Sequence, residues 1–185
     1  MMLETAIRKI TVSEYHKMAE VGILQPDENV ELINGKIVYK MSPVNLPHSS
    51  TVRCLNRLLN KKYNEEVTLD FQNPVVIENH SEPEPDAVIL EFSNNDYSKK
   101  KPTSNDVLVI IEGSNTTLKY DKTTKLRLYA SANIPEYWVV NLIDNCIEIY
   151  KKPNGKIYQQ HYILIKDDVI DLPFEKQLKV SDILK

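Results

Sequence analysis

Apolar residues recur along the chain with two periods, one typical of helices and one typical of strands. Between residues 47 and 63 they fall three or four positions apart, which predicts an amphipathic helix. Residues 11–22 form a shorter helical pattern, with threonine or serine available as its cap and Gly22 at its end. A third helix is predicted for residues 116–133.

Strand-like runs account for most of the remaining chain. The pair Asn34-Gly35 separates two apolar-rich runs and predicts a tight β-hairpin, because both central residues of such a turn need a positive φ angle. Further strands are predicted for residues 67–78, 83–92, 106–112 and 135–143, with a second hairpin around Asn154-Gly155.

The run 107–111 is apolar at every position, which is typical of a strand buried on both faces in the middle of a sheet. A predicted helix and then a predicted strand follow it, so the three form a β-α-β unit with a right-handed crossover. We find no internal repeat, low-complexity tract or linker. The pattern therefore predicts one α/β domain over residues 1–185.

Composition narrows the functional classes. The chain has 185 residues, of which 42% are hydrophobic and 26% charged, as in globular proteins of one domain. Its net charge of −3 gives no overall basic field, which argues against a protein that coats nucleic acid non-specifically. A local basic cleft remains compatible with this charge.

Several classes of site and location are disfavoured by the sequence. Cys54 and Cys146 lie far apart in apolar surroundings, so we interpret them as small buried residues rather than metal ligands. The four glycines include no phosphate-binding loop, and no nucleotide cofactor is expected. Without a signal-peptide pattern or a membrane-length apolar run, we expect a cytoplasmic protein with no membrane partner.

Two acidic residues lie at the ends of predicted strands. Glu112 ends the buried strand, and Asp86 begins a neighbouring strand just after Pro85. Binding sites in open α/β sheets form beyond the carboxyl ends of the parallel strands. Two carboxylates brought together there repel each other unless a cation joins them, and Mg²⁺ or Mn²⁺ suits such oxygen ligands.

The helix after Glu112 carries Asp121 and Lys125 four positions apart, which places them on one face. A lysine beside a metal-bound water orients or helps to deprotonate that water, or stabilises the charge that develops on a phosphate. With Asp86, these residues describe metal-assisted phosphodiester hydrolysis. Each also has a simpler interpretation: Asp86 begins a strand, Glu112 caps the next helix, and Asp121 and Lys125 form a surface ion pair.

Two further residues are ambiguous from the pattern. Glu31 in the first hairpin forms a cross-strand ion pair with Lys36 or Lys40, or else turns toward the active edge of the sheet. His48 lies in the first turn of the second helix, where it faces solvent, caps the helix or belongs to a site. No zinc-binding spacing relates it to the other histidines.

Three stretches in this order resemble one bacterial family: VELINGKIVYKMSPVNLPH (30–48), EPDAVIL (84–90) and IEGSNTTLKYDKTTKLRLYASANIPEYWVVNL (111–142). The resemblance runs from about residue 11 to the final strand. The family is that of restriction-endonuclease-like proteins once catalogued as a domain of unknown function, within the PD-(D/E)XK nuclease superfamily. It implies a mixed central sheet flanked by helices, with extra N-terminal and C-terminal β-hairpins, and metal-dependent cleavage of DNA.

The resemblance also assigns roles to the acids. It implies that Asp86 is the aspartate of the family's PD pair and that Glu112 is its second acid. Both are expected to bind Mg²⁺ or Mn²⁺, together with Glu31. Gly113 stands where the family usually has an aliphatic residue, so a more flexible backbone is expected beside Glu112.

A lysine usually stands two residues after the second acid of the superfamily, and Ser114 occupies that position here. The resemblance implies that Lys125 takes over the role from the helix, as is usual in this family. His48 and Asp121 also match recurrent family positions, Asp121 as a partner that orients Lys125.

The sequence leaves the activity and assembly open. One alternative is a catalytically silent DNA-binding or scaffold protein that keeps the nuclease fold, and another is a nuclease that acts on RNA. The lysines at 99–101 form either a solvated loop or a contact to the DNA backbone. Superfamily nucleases often dimerise, so a homodimer is one expected assembly.

Overall fold

A computed structural model of the chain describes residues 7–40 and 46–184. No helix within these ranges is long and apolar enough to cross a membrane. The helices are α1 (Val12–Glu20), α2 (Leu46–Tyr63), α3 (Leu118–Tyr120), α4 (Leu126–Ser131) and α5 (Val180–Ile183), with a 3₁₀ helix at Ser104–Asp106 and a π-helical segment at Asp121–Lys125. The strands are β1 (Val30–Ile33), β2 (Lys36–Tyr39), β3 (Thr68–Asp70), β4 (Ala87–Leu90), β5 (Val107–Ser114), β6 (Glu136–Asn141), β7 (Cys146–Asn154), β8 (Ile157–Leu164), β9 (Val169–Leu172) and β10 (Lys176–Lys179).

The central sheet has six strands in the order β3-β4-β5-β6-β7-β8. Only β5 and β6 pair in parallel, and the helical stretch between them completes the predicted β-α-β unit. The other four pairings are antiparallel, so the sheet is mixed, as the resemblance implies. Two separate hairpins, β1-β2 near the start and β9-β10 near the end, accompany the sheet.

Both faces of β5 are buried, which explains its unbroken apolar run. Val109 and Ile111 belong to a core cluster that includes α2 and α5 side chains, whereas Ile110 belongs to a second cluster with Leu128 and Tyr129 of α4. Side chains of a strand alternate between its two faces, so a strand covered on both sides is apolar throughout. The predicted burial of this strand is confirmed.

The first hairpin has the predicted turn. Asn34 and Gly35 both adopt positive φ angles, 52° and 78°, and Ile33 pairs with Lys36 across them. The hairpin is bonded to two neighbouring segments: the Ile10 N–H donates to the Gly35 carbonyl over 3.0 Å, and the Gly35 N–H donates to the carbonyl of residue 80 over 2.6 Å. These bonds fix the orientation of β1, which carries Glu31.

Two strand predictions were too long. Of residues 67–78 only β3 is a regular strand, because Gln72 adopts a positive φ of 55° and Pro74 has no N–H to donate to a ladder. Of residues 83–92 only β4 is regular, since Pro83 and Pro85 interrupt the approach to it.

Two other predictions need adjustment. The second predicted hairpin is β7-β8 and forms part of the central sheet. Its two-residue loop is Gly155-Lys156, one position later than predicted, because Asn154 still pairs with Ile157. The predicted helix over 116–133 begins at Leu118 and contains a π-helical segment in its middle.

Gly35→Ala is expected to destabilise the protein more than Gly155→Ala. Both glycines have positive φ angles, 78° and 60°, where a Cβ atom costs about 1–2 kcal/mol. At Gly35 that Cβ would also lie 2.5 Å from the Cβ of Lys9, whereas nothing lies within 4 Å of it at Gly155. Denaturant unfolding of both variants measures the difference. Equal losses would show that the segment around Lys9 moves aside without cost.

Candidate active site

The two acids of the sheet meet because β4 runs antiparallel to β5. Ala87 pairs with Ile111, so Asp86 and Glu112 lie next to each other at the same edge of the sheet. The Gly113 N–H donates a hydrogen bond of 2.8 Å to Asp86 Oδ2. Both acids are buried, with 8% and 5% of their surface exposed. The structure therefore brings together the two carboxylates that the sequence placed at strand ends.

Lys125 reaches Glu112 and Glu31 from the last position of the π-helical segment. Its Nζ lies 2.9 Å from Glu112 Oε1 and 3.4 Å from Glu31 Oε1. The interpretation of Asp121 and Lys125 as a surface ion pair is wrong, since both side chains are buried and Lys125 pairs with Glu112 and Glu31. Short π-helical segments are rare and occur often at functional sites.

Asp121 is held by the end of β5. Its Oδ2 accepts a hydrogen bond of 2.7 Å from Ser114 Oγ, and Ser114 is completely buried. Burial raises the pKa of Asp121, although the Lys125 ammonium and hydrogen bonds from Thr117 and Ser114 oppose the shift. Ser114 thus ties the start of the π-helical segment to the strand that carries Glu112.

Glu31 turns toward the edge of the sheet. It lies opposite Val38 in the hairpin, as its register predicts. Its Oε2 accepts the Glu84 N–H over 3.2 Å, and its Oε1 faces Lys125. The predicted cross-strand ion pair with Lys36 or Lys40 is therefore wrong, because Lys40 pairs with the carboxylate of Glu84 at 2.8 Å.

His48 lies against the first acid. Its Nε2 is 2.8 Å from Asp86 Oδ2, and this hydrogen bond raises the pKa of His48, with burial acting in the opposite direction. A Cβ at Gly113 would lie 3.4 Å from both Asp86 Oδ2 and His48 Cδ2. The glycine that suggested a flexible backbone is paired with Val140 in the sheet, and it leaves room for the imidazole beside the carboxylate.

The cluster contains more acidic than basic side chains. Burial raises the pKa of Glu112 to about 8, although the Lys125 ammonium opposes the shift. Burial alone would lower the pKa of Lys125, but the carboxylates of Glu112, Glu31 and Asp121 outweigh it and raise that pKa. Lys125 is therefore an ammonium at neutral pH. The site contains two basic side chains, Lys125 and His48, and four buried acidic side chains: Glu31, Asp86, Glu112 and Asp121.

A pocket of about 450 Å³ opens onto the cluster. Six of the seven predicted site residues line it, namely Glu31, His48, Asp86, Glu112, Asp121 and Lys125. The seventh, Ser114, lies behind Asp121. Over residues 7–40 and 46–184, no three His, Cys, Asp or Glu side chains are arranged so as to hold a metal ion. In this arrangement, Asp86 Oδ2 and Glu112 Oε1 are already hydrogen-bonded to other groups of the protein.

A known protein family matches most of the chain. Residues 12–182 match the model of the Uma2 family, described as "Putative restriction endonuclease". The chain belongs to this family. A search of curated proteins finds no match.

The crystal structure of a protein from Anabaena variabilis, described as "a putative nuclease belonging to DUF820", is similar to this chain, with a TM-score of 0.70. The two chains are 18% identical, and the similarity covers 94% of this chain and 97% of that chain. The likeness shows that this chain has the same restriction-endonuclease-like fold.

One residue of the site was missed in the sequence. The Tyr129 hydroxyl donates a hydrogen bond of 2.9 Å to Glu112 Oε1, the same oxygen that Lys125 contacts. Tyr129 follows Lys125 by four positions, a spacing that places both side chains on one helical face. That spacing was the available signal, but aromatic residues at helical spacing are more often part of the core.

The lysines at 99–101 are only partly available to a ligand. Lys101 Nζ donates to the buried carboxylate of Glu82 over 2.6 Å, and Lys100 Nζ lies 3.7 Å from Asp106. Two of the three lysines in this loop therefore have carboxylate partners, which disfavours a contact between these two side chains and a DNA backbone.

A buried glutamate of β7 anchors the π-helical segment to the sheet. Lys122, in that segment, donates to Glu148 Oε1 over 2.7 Å, and the Tyr150 hydroxyl donates to Glu148 Oε2 over 2.8 Å. Only 1% of Glu148 is exposed. Because Lys122 lies between Asp121 and Lys125 in sequence, this contact helps to fix both site residues.

Glu148→Gln is expected to destabilise the protein by about 1–3 kcal/mol near neutral pH, because a buried carboxylate with charged and hydrogen-bonded partners is lost. Burial would raise the pKa of Glu148, but hydrogen bonds from Lys122, Tyr150 and Asn141 outweigh it and hold that pKa below its ordinary value of 4.5. The stabilisation is therefore present above pH 4.5 and is lost as the pH falls further.

Unfolding at about pH 7 and about pH 3.5 measures this effect, and the gap between wild type and variant should narrow at the lower pH. Glu66→Gln is the control, since Glu66 forms an exposed ion pair with Lys176 and its removal should change little. A gap that stays constant with pH would contradict the assignment.

Proposed function

We propose that the chain is a divalent-metal-dependent endonuclease that hydrolyses phosphodiester bonds of DNA. Membership of a family described as "Putative restriction endonuclease", and a fold shared with a protein described as "a putative nuclease", support the broader class of nuclease. The observation that carries the finer proposal is a buried cluster at one pocket, in which Glu112 and Glu31 pair with Lys125 and Asp86 lies next to Glu112.

The donor set fits Mg²⁺ or Mn²⁺. Carboxylate oxygens are the ligands that these hard ions prefer, and Mg²⁺ commonly uses only one or two carboxylates and completes its shell with water and substrate phosphate. The surplus of buried acidic groups over basic ones favours a cation in the same place. Asp86 and Glu112 would hold the ion, joined by Glu31. When bound, such an ion activates a water molecule and neutralises charge on the phosphate.

Lys125 acts in this proposal as a fixed positive charge. Its raised pKa keeps the ammonium protonated, so of its predicted roles, orientation and charge stabilisation are favoured over removal of a proton from water. Its bonds to Glu112 and Glu31 hold both carboxylates toward the pocket. The same charge stabilises negative charge that develops on a phosphate at the pocket.

His48 acts on the orientation of Asp86. A protonated imidazole donates from Nε2 to Asp86 Oδ2, and the Gly113 N–H donates to the same oxygen. Two donors on one oxygen fix the carboxylate plane. Asp86 is thus held in one orientation by a backbone group and by a side chain of α2.

One observation favours the alternative of a silent DNA-binding or scaffold protein. In the described part of the chain, the acids are satisfied by Lys125, Tyr129, His48 and a backbone N–H, without a group of three ready metal ligands. A protein that only binds DNA would keep these contacts as a structural network.

Nicking of supercoiled plasmid DNA tests the proposal. Wild type should nick with Mn²⁺ or Mg²⁺ and lose activity in excess EDTA, while Asp86→Asn and Lys125→Met should lose about 10²–10³-fold, the range for removal of one preorganised electrostatic group. Asp171→Asn, at an exposed position of β9, is the matched control and should cleave like wild type. Wild type that binds DNA but stays inert with every metal would favour the silent alternative.

Titration calorimetry with Mn²⁺ tests the ligand set separately from activity. Glu112→Gln should bind Mn²⁺ at least about tenfold more weakly than wild type, because an amide oxygen is a poorer ligand than a carboxylate. Asp171→Asn serves again as the control. Equal affinity of wild type and Glu112→Gln would remove Glu112 from the proposed metal site.

A further inference from the structure

Tyr120 carries a buried hydroxyl that has no hydrogen-bond partner among the residues the structure describes. The side chain lines the pocket, directly before the π-helical segment that holds Asp121 and Lys125. Other largely buried tyrosines have acceptors for their hydroxyls: Tyr63 bonds the carbonyl of Pro173, and Tyr129 bonds Glu112. The hydroxyl of Tyr120 is therefore an exception that lies at the site itself.

An unpaired buried hydroxyl destabilises a fold, because it has lost its water without gaining a partner. Phenylalanine would fill the same space without that loss. The pocket offers a physical reason for the oxygen, since a ligand that enters the pocket brings acceptors that the protein lacks. The hydroxyl is thus arranged for a partner from outside the chain.

The charges around Tyr120 indicate what kind of partner this is. Burial raises the pKa of Tyr120 to about 12, followed by the charge of Glu31, so the hydroxyl remains a neutral donor at physiological pH. Lys125 and Asp121 also act on it electrostatically, which places it close to the site cluster. Because the Tyr120 hydroxyl stays protonated, its partner must be a hydrogen-bond acceptor. The neutral hydroxyl also adds no negative charge to a site that is already rich in acids.

A phosphodiester is the acceptor that fits this position. The pocket wall carries five acidic side chains, Glu31, Glu84, Asp86, Glu112 and Asp121, against the lysines Lys40 and Lys125. An anionic phosphate that enters such a pocket meets repulsion, so each fixed donor contributes to holding it.

We propose that the Tyr120 hydroxyl contacts the substrate directly and donates a hydrogen bond to a non-bridging oxygen of the scissile phosphate. The inference rests on the proposed function, because it names a contact to the phosphodiester at the same site. It adds a substrate-contacting residue outside the set that the sequence predicted.

Tyr120→Phe tests the contact because it removes one oxygen and leaves the ring. The probe is a short DNA duplex, whose affinity is measured by fluorescence anisotropy with Ca²⁺, alongside plasmid nicking with Mn²⁺. Affinity should fall about tenfold, as expected for a hydrogen bond to a charged group, and nicking should fall by at least as much. The stability of Tyr120→Phe should equal or exceed that of wild type, since an unpaired hydroxyl is removed.

Tyr63→Phe is the matched control. Tyr63 is fully buried and its hydroxyl donates to Pro173 over 3.3 Å, in a core cluster that excludes Tyr120. This variant should lose stability and keep wild-type affinity and nicking, which is the opposite pattern. A purely structural role for the Tyr120 hydroxyl would make the two variants behave alike.

The outcomes separate this inference from the proposed function. Wild type that nicks DNA while Tyr120→Phe binds and nicks equally well overturns the contact and leaves the nuclease intact. Wild type that binds the duplex without nicking removes the nuclease, yet weaker binding by Tyr120→Phe still supports the phosphate contact. If wild type neither binds nor nicks, both are overturned.

Discussion

The buried ammonium of Lys125 is the interaction on which the rest of the arrangement depends. It bonds Glu112 from the central strand and Glu31 from the N-terminal hairpin, while its own backbone belongs to the crossover between β5 and β6. Charges removed from water need partners of opposite sign, and loss of one partner leaves the other buried and uncompensated. The N-terminal hairpin, β5 and the crossover that follows β5 are therefore held to one geometry by a single side chain.

This dependence links the stability of the fold to the chemistry of the site. Burial raises the pKa of Glu112 even with Lys125 beside it, and one lysine and one histidine face four buried acids at this site. A fold selected for stability alone would replace such a group by apolar side chains of similar volume. The retained negative charge has a purpose if a cation is part of the function, and this is the physical basis of the proposed nuclease.

Sequence reasoning succeeded where local rules decide the structure. Asn34-Gly35 specified the hairpin, and the two-residue loop then set Glu31 opposite Val38. Sequence reasoning failed where contacts between distant parts of the chain decide the structure. The partner of Glu31 lies in a distant helix, so no local pattern chose it over Lys40. The apolar spacing of the π-helical segment is the same as that of an α-helix, so the sequence could not distinguish them. The lack of a hydrogen-bond partner for the Tyr120 hydroxyl depends on the tertiary structure and has no sequence signal.

The same geometry explains how Ser114 can stand at the position where the superfamily pattern usually has a lysine. Glu112 and Ser114 lie two positions apart on β5, so their side chains leave the same face of the strand. A lysine at position 114 would start from the strand itself, whereas Lys125 reaches the same carboxylate from the helix that packs on that face. The small Ser114 side chain lets Asp121 approach and bonds it, which fixes the helix in turn. The proposed chemistry needs an ammonium at one place, and Lys125 would supply it from the helical segment that Ser114 holds through Asp121.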